Sequence, residues 1–174
     1  MTKINGVQIK NLKFFIDHEG LLTPQGDVWI DGKKQGFWSQ GYMCDEDYFD
    51  FDTTLLDERA KEYQKGFSHD YHYYPYINAS VMLEQITFVM DVEKKYKAFS
   101  RKNASHMYMF TNGIGLGSAF RAVQEGVNIP DKEIEKIIEE LVQGPMMVVE
   151  FTSKEDFIFT INGENPAPAW FLLD

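Results

Sequence analysis

Two histidines and an aspartate fall within four residues, at His69, Asp70 and His72, and could together hold a metal ion. On a helical turn the i, i+3 spacing would let both imidazoles reach one Zn²⁺, with Asp70 as a third ligand or as the group that orients a histidine. No fourth ligand lies nearby in the sequence, and the four tyrosines within residues 71–76 are typical of a packed or partner-facing aromatic patch. We therefore predict no metal and no cofactor, and we keep His69, Asp70 and His72 as the candidate ligands.

A glycine-rich loop, Gly113–Gly117, follows a predicted strand and precedes a predicted short helix, which is the setting of a dinucleotide-binding loop. The G-x-G-x-x-G fingerprint needs glycine where Ser118 stands, and no βαβ unit is visible around it. A turn whose glycines adopt positive φ explains the same residues. A small enzyme or ligand-binding module that uses this loop, or the His69/His72 region, is the alternative functional hypothesis.

Nucleophilic catalysis finds little support in the chain. Cys44 is the sole thiol, and the neighbouring carboxylates of Asp45, Glu46 and Asp47 disfavour the thiolate that an activated cysteine needs. No nucleophile-elbow motif is present. The sequence therefore predicts no catalytic residue and favours a protein that is not an enzyme.

The most informative region is residues 42–76, which hold nine acidic and ten aromatic residues. Its densest part, which we name the acidic-aromatic segment, consists of Asp45, Glu46, Asp47, Tyr48, Phe49, Asp50, Phe51 and Asp52. Aromatic side chains bury large areas at protein interfaces, and carboxylates can imitate the phosphates of nucleic acid and engage Arg and Lys. The segment predicts a partner-binding surface. The alternative is a solvated acidic loop over ordinary core aromatics.

The charge of the chain limits the classes of partner. The 174 residues carry 27 acids and 17 Lys or Arg, for a net charge of −10, with the acids concentrated in residues 41–80 and 103–174. A field of that sign disfavours direct binding to nucleic acid or to an anionic membrane, and it favours a protein partner with a basic surface. A lone cysteine and the lack of an apolar stretch at the start of the chain predict a cytoplasmic protein without a signal peptide.

These residues must be positioned by elements of an α+β fold, which we predict as a single domain over residues 1–174. An antiparallel β-sheet built from hairpins is expected to pack against two or three helices. The first hairpin turns at Asp31-Gly32, after a strand from Val7 whose alternation slips at Asn11-Leu12 and so predicts a bulge. A second hairpin is expected between Met146–Thr152 and Phe157–Ile161.

The helices are predicted from apolar spacing and end signals. A short helix opens at a capping box from Thr54 to Asp57, and a long helix runs from about Asn78 to Arg101, with its first half in the core. Residues 106–111 predict a strand, residues 118–124 a helix, and residues 131–142 another helix.

The N-terminal stretch also carries a resemblance. Asn11-Leu-Lys-Phe, His18-Glu-Gly, Gln25-Gly-Asp-Val and the run from Asp31 to Ser39 resemble the opening of an uncharacterised small protein family of Gram-positive phages and plasmids. The resemblance covers about a quarter of the chain, and it transfers no activity and no site residues. It implies a mobile-element context, in which small acidic proteins block host restriction or CRISPR nucleases. The −10 charge, the acidic-aromatic segment and the absence of a catalytic constellation motivate our leading hypothesis, a non-enzymatic acidic binding protein that inhibits a host nucleic-acid-binding enzyme.

Overall fold

The computed structural model describes residues 2–16, 20, 22–41, 46–64, 78–102, 106–111, 118–124, 129–133, 136 and 147–159. Two helices are described along their whole length over these ranges, α1 (Thr54–Gln64) and α2 (Ala79–Ser100), and the strands form two sheets. The strands are β1 (Lys3–Ile4), β2 (Val7–Ile16), β3 (Leu22–Ile30), β4 (Lys33–Ser39), β5 (Tyr48–Phe49), β6 (His106–Thr111), β7 (Ser118–Val123), β8 (Met147–Phe151) and β9 (Ile158–Phe159). The predicted α+β class is confirmed.

The larger sheet has the strand order β5-β4-β3-β2-β1-β9, antiparallel except where β9 pairs parallel to β1. The turn between β3 and β4 lies at Asp31 and Gly32, with φ of 48° and 80°. Two consecutive positive φ values match a hairpin turn whose twist suits the strands, and Asp-Gly is favoured there. The first predicted hairpin is confirmed.

The predicted bulge in β2 is also confirmed. The register between β2 and β3 shifts between Lys10 and Lys13, and Asn11 takes a φ of 54° within the shift. The amide of Asn11 donates to Asp27 Oδ2 at 2.7 Å, which fixes the extra residue against the neighbouring strand. Beyond the bulge the even-numbered residues of β2, instead of the odd ones, share the face of the sheet that carries the core.

The smaller sheet has the order β7-β6-β8 and corrects two predictions. Residues 118–123 form the strand β7 rather than the predicted helix, since they pair along their whole length with β6. The second hairpin is wrong as well, because β8 pairs with β6 whereas β9 joins the other sheet. A 3-10 turn at Glu155–Phe157 redirects the chain between them.

Helix α2 lies within one residue of its predicted bounds. The side chain of Asn78 caps it by accepting from Val81 N at 2.9 Å. Its buried face continues past the predicted apolar half to Val92, Glu93 and Tyr96, so the core covers most of its length. The basic residues near its C-terminal end remain at or near the surface.

Helix α1 shows the predicted buried stripe of Leu56, Ala60 and Tyr63. Its first turn is capped one to two residues earlier than predicted. Asp52 Oδ1 accepts from Thr54 N at 2.9 Å, and the hydroxyl of Thr53, instead of that of Thr54, reaches Asp57 Oδ2 at 3.0 Å.

One cluster of buried side chains connects both sheets and both helices. Trp38 of β4 is fully buried at its centre, and Phe151 of β8 stacks on Phe157 with ring centroids 5.0 Å apart. The hydroxyl of Tyr96 on α2 donates to Thr152 O at 2.8 Å, which joins the long helix to the chain after β8. Residues 131–133 and 136 are helical, and the remainder of the helix predicted for 131–142 lies outside the described residues.

Candidate protein-binding cleft

The acidic-aromatic segment connects the large sheet to α1, and it does not present one face. Residues 48 and 49 form β5, in which Phe49 pairs with Trp38 and Tyr48 with Ser39. Because neighbouring residues of a strand point to opposite faces, Phe49 turns toward the helices and Tyr48 toward the outer face. Tyr48 is 60% exposed.

The other two aromatic residues of the segment belong with the core. Phe49 and Phe51 are partly buried against it and meet edge to face, with ring centroids 5.6 Å apart. Phe51 also lies over Gly36, where an added Cβ would come within 2.6 Å of its ring. Of the three aromatic residues, only Tyr48 is available to a partner over most of its surface.

Three carboxylates of the segment hold its backbone in place. Asp47 accepts from Trp38 Nε1 at 2.7 Å and from Gly41 N at 2.9 Å. Asp50 accepts from Phe37 N at 2.5 Å. Asp52 accepts from the hydroxyl and the amide of Thr54, and these hydrogen bonds lower its pKa. Each carboxylate keeps spare acceptor positions, since two oxygens offer about four lone-pair sites.

Two of the segment's acids line a cleft of about 720 Å³ together with two acids that sequence reasoning did not single out. We name it the acidic cleft. Its carboxylates come from Glu46 and Asp47 of the segment, Asp57 of α1 and Glu84 of α2. The other described residues of its lining are Gln40, Gly41, Phe49, Thr53, Asn78, Ala79 and Ser80. This described lining contains four carboxylates and no Lys or Arg.

The helices set the geometry of the acidic cleft. Asp57 Oδ1 accepts from Ala79 N at 3.1 Å, so a carboxylate of α1 is hydrogen bonded to the first residue of α2. Glu84 lies farther along α2, where Gln40 Nε2 donates to its Oε1 at 2.6 Å. The positive end of the α2 dipole offsets part of the charge of Asp57. Glu84 gains less from it, because the dipole effect falls off beyond the first turn.

Glu84 shows that negative charge is crowded in the acidic cleft. Partial burial of its carboxyl raises its pKa, the hydrogen bond from Gln40 lowers it, and the charge of Asp47 raises it again. The net shift is upward. A cation entering the cleft would relieve this repulsion, since an opposite charge within about 4–6 Å favours the ionised carboxyl. The arrangement is suited to a guanidinium or ammonium group.

Several predicted site residues lie outside the described part of the chain. They are Asp45, His69, Asp70, His72 and the loop Gly113–Gly117. Within the described ranges no group of three or more His, Cys, Asp or Glu side chains is placed to hold a metal ion. None of the helices in those ranges is long and apolar enough to cross a membrane.

Sequence reasoning missed Gln40, Asp57 and Glu84 as residues of the site. Gln40 directly follows β4, Asp57 lies on α1 and Glu84 lies on α2. The only sequence signal is that Asp57 and Glu84 are acids near the N-terminal ends of two helices that follow each other in the chain. Comparison with known proteins adds no further guidance, because no family model, curated protein or solved structure matches this chain.

Proposed function

We propose that this protein is a non-enzymatic binding protein whose acidic cleft receives Lys or Arg side chains of a basic protein partner. The observation that carries the proposal is the set of four carboxylates around one cleft whose described lining supplies no cation. Charge-assisted hydrogen bonds of Arg with carboxylates are roughly twice as strong as neutral ones. Glu46 and Glu84 are exposed at the cleft, and among the described residues neither caps a helix or bonds a strand backbone, so their carboxylates can meet the partner.

The partner class that fits best is a host nucleic-acid-binding enzyme, which the protein would inhibit. Such an enzyme presents Lys and Arg where it grips phosphates, and carboxylates that meet those groups compete with its substrate. The resemblance of the N-terminal stretch to small proteins of phages and plasmids supports the same class. The net charge of −10 favours this partner over direct contact with nucleic acid or an anionic membrane, and the lone cysteine favours the cytoplasm.

A short peptide of alternating Arg and Gly tests the cleft. Calorimetry should detect binding at 0.1 M NaCl that fades toward 1 M, because the Debye length falls from about 10 Å to about 3 Å. The double reversal Glu46→Lys with Glu84→Lys should weaken binding at 0.1 M at least tenfold. The matched control is Glu58→Lys with Glu62→Lys, an equal change of charge on exposed positions of α1 outside the described lining.

Equal losses in the two double variants would mean that only net charge matters, and the acidic cleft would lose its role. The inhibitory part is tested separately, by adding the protein to purified restriction and CRISPR nucleases from Gram-positive bacteria. This part of the proposal is supported if the wild-type protein inhibits DNA cleavage and the variant Glu46→Lys with Glu84→Lys does not. If the protein changes the DNA cleavage of none of these nucleases, the inhibitory part of the proposal fails. The binding part is then decided by the Arg/Gly peptide alone.

A further inference from the structure

The far end of the β2–β3 hairpin exposes a group of large apolar side chains. The group consists of Phe14 (52% exposed), Phe15 (47%), Ile16 (72%) and Leu22 (66%). We name the hairpin beyond Lys13 and Gln25 the apolar arm. Among the described residues, β1 pairs with β2 only at Val7, and β4 pairs with β3 no farther than Gln25. In the described part of the chain the two strands of the arm therefore pair with each other, and one backbone hydrogen bond, from Gln40 N to Pro24 O, joins them to the chain after β4.

The register divides the arm into two faces. Ile16 pairs with Leu22 and Phe14 with Pro24, on the face that continues into the buried residues of β3. Phe15 pairs with Thr23 on the opposite face, together with Lys13. The side of the sheet that carries the core thus runs on past the helices as an exposed apolar surface formed by Phe14, Ile16 and Leu22.

This apolar face adjoins the acidic cleft. Gln40, which lines the cleft, donates its backbone N–H to Pro24 O at 3.0 Å. Leu22 lies two residues farther along the strand, or about 7 Å at the usual rise. Both surfaces lie on the helix side of the sheet, since Phe49 lines the cleft from the same face as Trp38. The apolar face and the acidic cleft therefore lie next to each other, and they meet where Gln40 bonds Pro24.

We infer that the apolar arm and the acidic cleft together bind one amphipathic cationic segment of the partner. Its apolar side chains would cover Phe14, Ile16 and Leu22 while its Lys or Arg side chains enter the acidic cleft. This inference rests on the proposed function and adds the chemistry of the segment. Charge complementarity selects this occupant over a second copy of the chain, because two copies would bring −10 against −10.

The test uses a synthetic amphipathic helix of Leu and Lys, and a matched peptide in which Ser replaces Leu. Ile16→Thr with Leu22→Thr removes the two most exposed of the three side chains of the apolar face, and threonine suits a strand. Phe15→Thr is the control, since it removes one exposed aromatic side chain from the other face of the same arm. We expect the first variant to bind the Leu/Lys peptide at least tenfold more weakly, the control to stay within twofold, and the Ser peptide to bind all three proteins alike.

Each failure has a distinct reading. If Ile16→Thr with Leu22→Thr binds like the wild type, or if Phe15→Thr loses as much, the inference about the arm is overturned. If the arm variant binds like the wild type but Glu46→Lys with Glu84→Lys binds the peptide more weakly, the proposed function still holds. If the arm variant weakens binding but the cleft variant does not, the acidic cleft, and with it the proposed function, fails. Absence of binding to the wild type overturns both.

Other occupants of the arm would be detected in the same experiment. A wild-type dimer in sedimentation that Ile16→Thr with Leu22→Thr converts to monomer would show that a second copy covers the face. A lower melting temperature of that variant by several degrees would show that the chain itself covers it. Either result overturns the inference.

Discussion

Protonation of Glu93 should destabilise the fold, and the structure gives the size and the pH range of the loss. Glu93 is 4% exposed on α2, and its Oε2 accepts from Thr2 N and from Thr2 Oγ1, both at 2.8 Å. Lys97 forms an ion pair with its other oxygen. Burial alone would raise the pKa of this carboxyl, but the hydrogen bonds, that from Lys97 foremost, lower it from 4.5 to about 2.

The sign follows from the direction of the shift. Because the folded-state pKa lies below the unfolded value, the ionised carboxylate stabilises the fold fully above pH 4.5, and that contribution is lost as the pH falls toward 2. At 1.36 kcal/mol per pKa unit the shift corresponds to about 3 kcal/mol. For a chain of this length that is a melting temperature change of about 6–12 °C.

Urea denaturation followed by circular dichroism between pH 7 and pH 2.5 measures this effect, with Glu93→Gln as the comparison because other carboxylates titrate in the same range. The free energy of unfolding of the wild type should exceed that of Glu93→Gln most above pH 5. The difference should shrink by about 3 kcal/mol toward pH 2. Glu58→Gln, at an exposed position of α1, should give a curve parallel to the wild type. A constant difference between the wild type and Glu93→Gln across the range would refute the linkage.

Three further predictions test the packing and the cleft. Gly36→Ala should lower the free energy of unfolding by about 1–3 kcal/mol, because the added Cβ would lie 2.6 Å from the Phe51 ring; an unchanged urea midpoint would contradict that contact. Leu56→Ala should cost about 2–5 kcal/mol in the same assay, since the side chain is fully buried in the core, and a cost typical of a surface position would place it elsewhere. Binding of the Arg/Gly peptide should tighten as the pH rises above 4.5 through the raised pKa of Glu84, and calorimetry of Glu84→Gln should show a weaker pH dependence.

Elements whose signals are local could be predicted from the sequence. The bounds of α2 follow from a capping Asn78 and a long apolar run, and the hairpin at Asp31-Gly32 follows from two residues that tolerate positive φ. The bulge at Asn11 also follows, because a slip in alternation within one strand needs an extra residue.

Elements decided by distant partners could not be predicted in this way. Residues 118–123 contain alanines and an arginine that suit a helix, but pairing with β6 makes them a strand. The separation of β8 from β9 depends on Asp156, whose carboxylate accepts from Thr152 N and Ser153 N and turns the chain. The acidic cleft forms where α1 packs on α2. The spacing of the residues in the sequence therefore could not predict that Asp57 and Glu84 lie around the same cleft as Asp47.

The parallel pairing of β1 with β9 has a consequence for the order of folding. Lys3 of β1 pairs with Ile158 of β9. One edge of the large sheet is therefore completed by a strand that the ribosome synthesises much later than β1. At synthesis rates of 5–20 residues per second, β1 waits roughly 8 to 30 seconds with an unpaired edge. During that interval its free N–H and C=O groups can pair with another chain. Closure of this edge is therefore a late step of folding, which follows the synthesis of β2, β3 and β4.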